Sequence, residues 1–262
     1  MGTEPLLDRL QADDVVVFVG AHPDDETLVG PLLAYCADHC RELVVVSLTR
    51  GQSGWNLAGE DLTRTLAEVR QAEFASAVGR LGGEPVTWEY VNGTSTAHPQ
   101  GLAVRDVEET AVARWRSPGG RDVSADAVYD KWIRQGGDPS GRLADLLGRR
   151  GATIVIALDP KTGVTNHPEH VAATRAAAAG VQACNERGGA PIALYYVVRP
   201  PDAPPAAERI ATADLTIRGS RDYGAIAHES HAFYASQYRP ERFADPAHRR
   251  TEQWVVRAEE MD

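Results

Sequence analysis

Apolar and polar positions along the chain alternate between two periods. Val15-Val16-Val17-Phe18-Val19, Leu43-Val44-Val45-Val46-Ser47-Leu48, Val86 to Val91, Thr153-Ile154-Val155-Ile156-Ala157-Leu158 and Ile192 to Val198 are short, nearly continuous apolar runs, the pattern of strands buried on both faces. Between them lie segments of helical period: Asp25 to His39, Asp61 to Arg80 with Leu62, Leu66, Val69, Phe74 and Val78 inward and Gly82-Gly83 as a stop, Arg142 to Arg150, and His170 to Asn185 ending at Gly188-Gly189. Strands alternating with helices predict an α/β fold, a mainly parallel sheet with helices on both faces. After the Pro200-Pro201 and Pro204-Pro205 breaks, Asp214 to Arg218 is expected as a short strand, Arg221 to Gln237 as a helix and Gln253 to Arg257 as a closing strand. No internal repeat is visible.

One stretch breaks the rhythm. From about residue 92 to 140 the chain is rich in Gly, Pro, Ser and Asp, with helical patterns only near Arg105 to Trp115 and Ala125 to Arg134. It is expected to be an insertion in a single domain spanning 1–262, placed near the active edge, where long irregular segments often serve as lids or binding loops. Its aromatic residues Trp115, Tyr129 and Trp132 would wall a ligand site.

The 262 residues suffice for a substantial core. Acidic side chains outnumber basic ones, 37 to 27, which argues against nonspecific binding to nucleic acid or anionic membranes. Three cysteines, Cys36, Cys40 and Cys184, form no framework and read as reduced thiols. With no basic-then-apolar start and no membrane-length run, the expected location is cytoplasmic. Lysine occurs only at positions 131 and 161 while arginine is abundant, a bias that fits a GC-rich, actinomycete-like source. Oligomeric state is not written in the pattern.

The chemistry gathers at two strand tips. Ala21-His22-Pro23-Asp24-Asp25-Glu26 follows the first strand, and Asn166-His167-Pro168-Glu169-His170 follows the strand ending at Leu158. In parallel α/β sheets, ligands bind beyond the carboxyl ends of the strands, so the two tips can share one crevice. His22 and Asp25, three apart across a turn, can reach one point while Asp24 points elsewhere. That division makes Asp25 a metal ligand and Asp24 an unligated base beside a polarised water. Of His167 and His170, one can bind the metal while the other serves as acid or oxyanion stabiliser. Glu26 and Glu169 are candidate supports for these groups, and helix capping is the alternative for either aspartate. Imidazole and carboxylate ligands suit Zn²⁺, with Fe²⁺ or another divalent ion also compatible.

These segments resemble the LmbE/PIG-L family of metal-dependent N-deacetylases, whose hallmarks are A-H-P-D-D-E after the first strand and H-P-D-H near the fourth. The resemblance extends to Leu48-Thr49-Arg50-Gly51, Val69-Arg70-Gln71-Ala72-Glu73 and Asp159-Pro160. It implies a Rossmann-like domain, zinc on His22, Asp25 and His170, Asp24 as general base, His167 as acid or oxyanion partner and Arg70 in contact with the sugar. A surface ion pair with Glu73 is the plain alternative for Arg70.

Glu169 stands where the family pattern has Asp, Gln52 where it has an acid, His231 where it has Gln, and Thr165-Asn166 where it often has an aromatic or glycine residue. The implied reaction is removal of the N-acetyl group from an N-acetylglucosamine-containing small molecule or glycoside. Its rivals are an amidase of a mycothiol-like conjugate and a noncatalytic metal- or sugar-binding protein. A nucleotide-binding Rossmann domain ranks last, because the first strand leads to His-Pro-Asp-Asp rather than a glycine-rich phosphate turn.

Overall fold

A computed structural model describes residues 5–52, 57, 64–92, 124–200 and 203–261. Seven strands form one sheet in the order β3-β2-β1-β4-β5-β7-β6. They are β1 Val15–Gly20, β2 Glu42–Thr49, β3 Glu84–Tyr90, β4 Ile154–Leu158, β5 Ala193–Val198, β6 Glu208–Ala211 and β7 Glu252–Arg257. β1 to β5 run parallel, and β7 and β6 close the edge antiparallel. The strand order reverses at β1, flanked by β2 and β4, so the ends of β1 and β4 face one crevice.

The apolar runs are continuous because both faces are covered. Val16 and Phe18 belong to one core, whereas Val15, Val17 and Val19 belong to the other, as the two-residue strand period requires. The first layer comprises α1 Leu6–Arg9, α2 Gly30–His39, α3 Leu66–Leu81, α7 Thr212–Gly219 and α8 Tyr223–His231; the opposite layer comprises α4 Ala125–Gly136, α5 Pro139–Arg150 and α6 Pro168–Glu186. α9 Glu241–Ala244 follows α8. No helix among the described residues is long and apolar enough to cross a membrane.

Several expectations change. The helix expected from Asp25 is a 3₁₀ turn over Asp25–Leu28, and α2 starts only at Gly30, with Pro31 in its first turn. A proline inside one continuous helix would lose an amide bond and clash with the preceding turn. α3 starts at Leu66 rather than Asp61, because Thr65 and Glu68 form a reciprocal capping box.

Residues 214–218, expected as a strand, lie in α7. Leu215 is fully buried and Ile217, two positions on, is 78% exposed, a split that a helix gives and a strand, which puts both on one face, does not. The edge strand is Glu208–Ala211 instead, paired with β7. α8 ends at His231, well short of Gln237.

The expected insertion also changes. Residues 93–123, including Trp115 and the helix expected near Arg105, lie outside the described residues. In the rest, 124–140, the helix expected over Ala125 to Arg134 is present as α4, capped by Ser124, and α5, capped by Asp138, starts at Pro139. Trp132 is fully buried in the core, its Nε1 donating to Val91 O at 3.2 Å. It therefore builds the fold and is no wall of a ligand site.

Candidate active site

The end of β1 delivers His22 to Glu26 to the sheet's carboxyl edge through a strained turn. Asp24 has φ 112°, a left-handed conformation rare outside glycine. The turn is fixed by Asp25, whose Oδ2 accepts the amides of Ala21 (2.7 Å) and His22 (3.0 Å). Its other oxygen, Oδ1, faces outward. It lies 3.0 Å from His170 Nε2 and 3.7 Å from His22 Nδ1, and these two ring nitrogens are 3.0 Å apart.

The neighbours of both rings determine which nitrogens carry hydrogen. His170 Nδ1 lies 2.9 Å from Gly163 O, an acceptor, so Nδ1 holds the hydrogen and Nε2 presents its lone pair. His22 Nε2 abuts the Glu169 carboxylate, so Nε2 holds the hydrogen and Nδ1 presents its lone pair. Three acceptors thus converge with no donor among them. Two donors at about 2.0–2.1 Å from a tetrahedral zinc are roughly 3.4 Å apart, which the observed 3.0, 3.0 and 3.7 Å bracket. The residues fit a divalent metal.

The electrostatics agree. Burial alone would lower His22, yet its hydrogen bonds to Asp25 and Glu169 push it up to about 10. Burial would raise Asp25, yet the charge and hydrogen bond of His170 hold it well below the ordinary carboxylate range. The pocket draws in positive charge, and a proton on His22 competes with a metal for the same lone pair.

A second triad overlaps the first: one donor atom each of His22, His167 and His170 lie within 4.8 Å of one another. Asp25 makes the tighter set and brings a negative charge that His167 does not. His167 caps α6, its Nδ1 accepting the Glu169 amide at 3.2 Å, which leaves the hydrogen of the neutral ring on Nε2. The ring stacks at 4.9 Å on His170 and edge-on at 4.7 Å to His22.

The loop from β4 to α6 is held by Asp159, whose Oδ1 accepts the amides of Lys161 (2.6 Å) and Thr162 (2.9 Å). Gly163 then adopts φ 59°, and a Cβ there would stand 2.4 Å from His170 Cβ. Glycine is required where the loop passes His170 so closely.

Asp24 sits beside this cluster. Burial, then the charge of Asp25, push its carboxyl up to about 6, against the pull of Arg70, His22 and a hydrogen bond from Tyr238 Oη at 2.9 Å. A base poised near neutrality is what proton abstraction from water requires. Arg70 is buried, and its Nη1 donates to Gly51 O at 2.9 Å. Gly51 has φ 64°, and a Cβ there would stand 2.8 Å from Arg70 Cδ. Glu73 holds Ser236 through its amide (2.7 Å) and hydroxyl (2.6 Å).

Glu26 and Glu169 are fully buried supports. Tyr234 donates to Glu26, and burial pushes that carboxyl up to about 8. Asn92 donates to Glu169. Sequence reasoning did not find Asn92, Tyr234 or Tyr238. Asn92 carried the faint signal of closely following a strand end, whereas the tyrosines lie in the region expected to be helix or beyond it. Gln52 donates to Tyr90 O at 3.3 Å, and His231 lies edge-on to Tyr238 at 4.5 Å.

A profile of the PIG-L family, described as GlcNAc-PI de-N-acetylase, matches residues 17–181. The chain is similar to the 1D-myo-inositol 2-acetamido-2-deoxy-alpha-D-glucopyranoside deacetylase of Kineococcus radiotolerans, 29% identical over 76% of this chain and 55% of that protein. Similarity to the deacetylase of the same name from Mycolicibacterium smegmatis is 32% over 64% and 54%. The chain spans about half the length of the curated relatives it matches. Its fold is similar to that of the zinc-inhibited form of a teicoplanin deacetylase, with TM-score 0.55 and 16% identity over 94% of this chain and 98% of that one.

Proposed function

Because the chain belongs to the PIG-L family, we propose that it is a metal-dependent N-deacetylase that cleaves the acetamide of an N-acetylglucosamine-containing small molecule, releasing acetate and a free amine. The observation that carries this reading is the convergence of His22 Nδ1, Asp25 Oδ1 and His170 Nε2 at 3.0 to 3.7 Å beside the raised Asp24 carboxyl. His22, Asp25 and His170 would hold the metal, for which zinc suits the donor set. Bound there, it would supply Lewis acidity toward the amide carbonyl and acidify a water.

The remaining steps belong to the side chains. Asp24 takes a proton from the attacking water as its oxygen bonds to the acetyl carbon. His167 Nε2–H faces the developing oxyanion, and the proton taken by Asp24 passes to the amine nitrogen as the C–N bond breaks, so that acetate and amine leave. Arg70, fixed by Gly51, contacts the sugar.

The decisive experiment measures acetate release by metal-loaded protein from a panel of N-acetylglucosaminides with different aglycones. Release from at least one member at a rate abolished by Asp24→Asn is expected. Stoichiometric metal with no release would overturn the reading in favour of a binding protein, and cleavage of thiol-conjugate amides alone would move the substrate to that class.

A further inference from the structure

A cavity of about 460 Å³ opens beside the metal cleft, on the same edge of the sheet. Its walls include the carboxyl end of β5 through Arg199 and the start of β7, which runs antiparallel to it. They also include Thr27, in the turn after Asp25, and Val164, next to the Gly163 that holds His170.

The lining is cationic in a chain whose net charge is −10. Arg199, Arg242, Arg249 and Arg250 all contribute. Among the described residues Arg199, Arg242 and Arg250 form no ion pair with a carboxylate. Arg242 lies over the Tyr238 ring at 4.9 Å, and Arg250 Nε donates to Thr27 O at 3.1 Å. Arg249 pairs with Asp222 at 3.4 Å. The single carboxylate among the lining residues, Glu252, is engaged by Arg209 Nε (2.6 Å) and Trp254 Nε1 (3.2 Å).

His231 Nε2 is buried without a hydrogen-bond partner among the described residues, in a side chain that lines the same cavity. Guanidinium groups match phosphate and carboxylate oxygens through paired hydrogen bonds, so three of them gathered with no carboxylate partner among the described residues mark a place for an anion.

Tyr238 joins this cavity to the reaction centre: its hydroxyl bonds Asp24, while Arg242 and His231 lie against its ring. We propose that the cavity is a subsite for an oxyanion, phosphoryl or carboxylate, carried by the aglycone of the N-acetylated sugar whose amide meets Asp24. The substrate class is then an anionic N-acetylglucosaminide that spans Tyr238. This inference rests on the deacetylase reading for the sugar end and on the cavity alone for the anion.

Two measurements separate them. The first titrates inorganic phosphate and, in parallel, malonate into the metal-loaded protein by calorimetry. Saturable binding of at least one anion is expected, weakened about tenfold to a hundredfold by Arg199→Gln/Arg242→Gln, the scale of one or two lost charge-assisted hydrogen bonds, and retained in His170→Ala. The tighter anion names the group. No saturable binding of either, or binding lost in His170→Ala and kept in the arginine variant, would overturn the subsite. The second compares kcat/KM for N-acetylglucosamine 1-phosphate and methyl N-acetylglucosaminide. The expected preference for the anionic sugar should collapse toward one in the arginine variant, and an unchanged ratio would overturn the spanning arrangement. If neither sugar yields acetate while the anion titration behaves as expected, the deacetylase reading fails and the anion site stands.

Discussion

Tyr238 donates its hydroxyl to Asp24 Oδ2 at 2.9 Å, from a turn 214 residues along the chain. A hydrogen bond to the charged form favours ionisation, so it opposes the burial and the Asp25 charge that push Asp24 up to about 6. Asp24 must be ionised to accept a proton, so activity should rise with pH through that region. Tyr238→Phe should move the acid limb upward while retaining metal. Asp24→Asn should retain metal and lose roughly two to four orders of magnitude in kcat, the scale of general-base catalysis. An acid limb unmoved in Tyr238→Phe would detach the tyrosine from the base.

Metal content distinguishes the two overlapping triads. Asp25→Ala and His170→Ala should each lose most bound metal, whereas His167→Ala should keep it and lose kcat more than it raises KM, since a group that meets the oxyanion acts mainly in the transition state. Elemental analysis of the three purified variants decides it. Metal lost from His167→Ala and kept in Asp25→Ala would reverse the assignment.

Glu169 touches no substrate in this reading; it holds the hydrogen of His22 on Nε2 and is itself held by Asn92. Loss of such a support typically weakens metal binding about 10- to 100-fold. Glu169→Ala should show that loss by competition with a chelator, and Glu169→Asp, the residue of the family pattern, should recover part of it. Equal affinity in all three proteins would remove Glu169 from the site.

The two strand tips were legible because each follows an apolar run whose burial fixes where it ends, so local pattern plus the parallel-sheet rule brings His22, Asp25, His167 and His170 toward one crevice; the choice of His170 over His167 as ligand came from the family resemblance. The third side of the site was not. Tyr234, Ser236 and Tyr238 reach Glu26, Glu73 and Asp24 from a turn after α8, a relation set by tertiary packing with no local periodicity. Charge shows the same limit: the net −10 conceals a cavity where four arginines meet, because they come from segments after β5, in α9 and before β7. Trp132 was misread for a different reason. The helix expected over Ala125 to Arg134 is present as α4, but its polar, glycine-rich surroundings gave no sign that the indole faces the core.

Gly163 offers a backbone test of the site. A methyl group there would meet His170 Cβ at 2.4 Å, and φ 59° disfavours any L side chain. Gly163→Ala should cost about 1–2 kcal/mol in the left-handed conformation alone and displace His170, so both thermal stability and metal stoichiometry should fall. Normal metal content would show that the loop can yield without moving the ligand.

Trp132 gives the complementary prediction, a loss of stability that leaves the chemistry in place. The indole is fully buried among Tyr90, Val128 and Leu143 and donates to Val91 O. Val91 precedes Asn92, the residue that holds Glu169. Truncation removes a large apolar volume and leaves that carbonyl without its indole donor, so Trp132→Ala should cost about 3–5 kcal/mol by denaturant titration. Trp132→Phe, which keeps most of the volume and loses the donor, should cost less. Because Trp132 lines the core rather than the sugar, Trp132→Phe should change kcat/KM for large and small glycosides by the same factor. A selective loss on the large substrate would return this side chain to the binding site and overturn its assignment to the core.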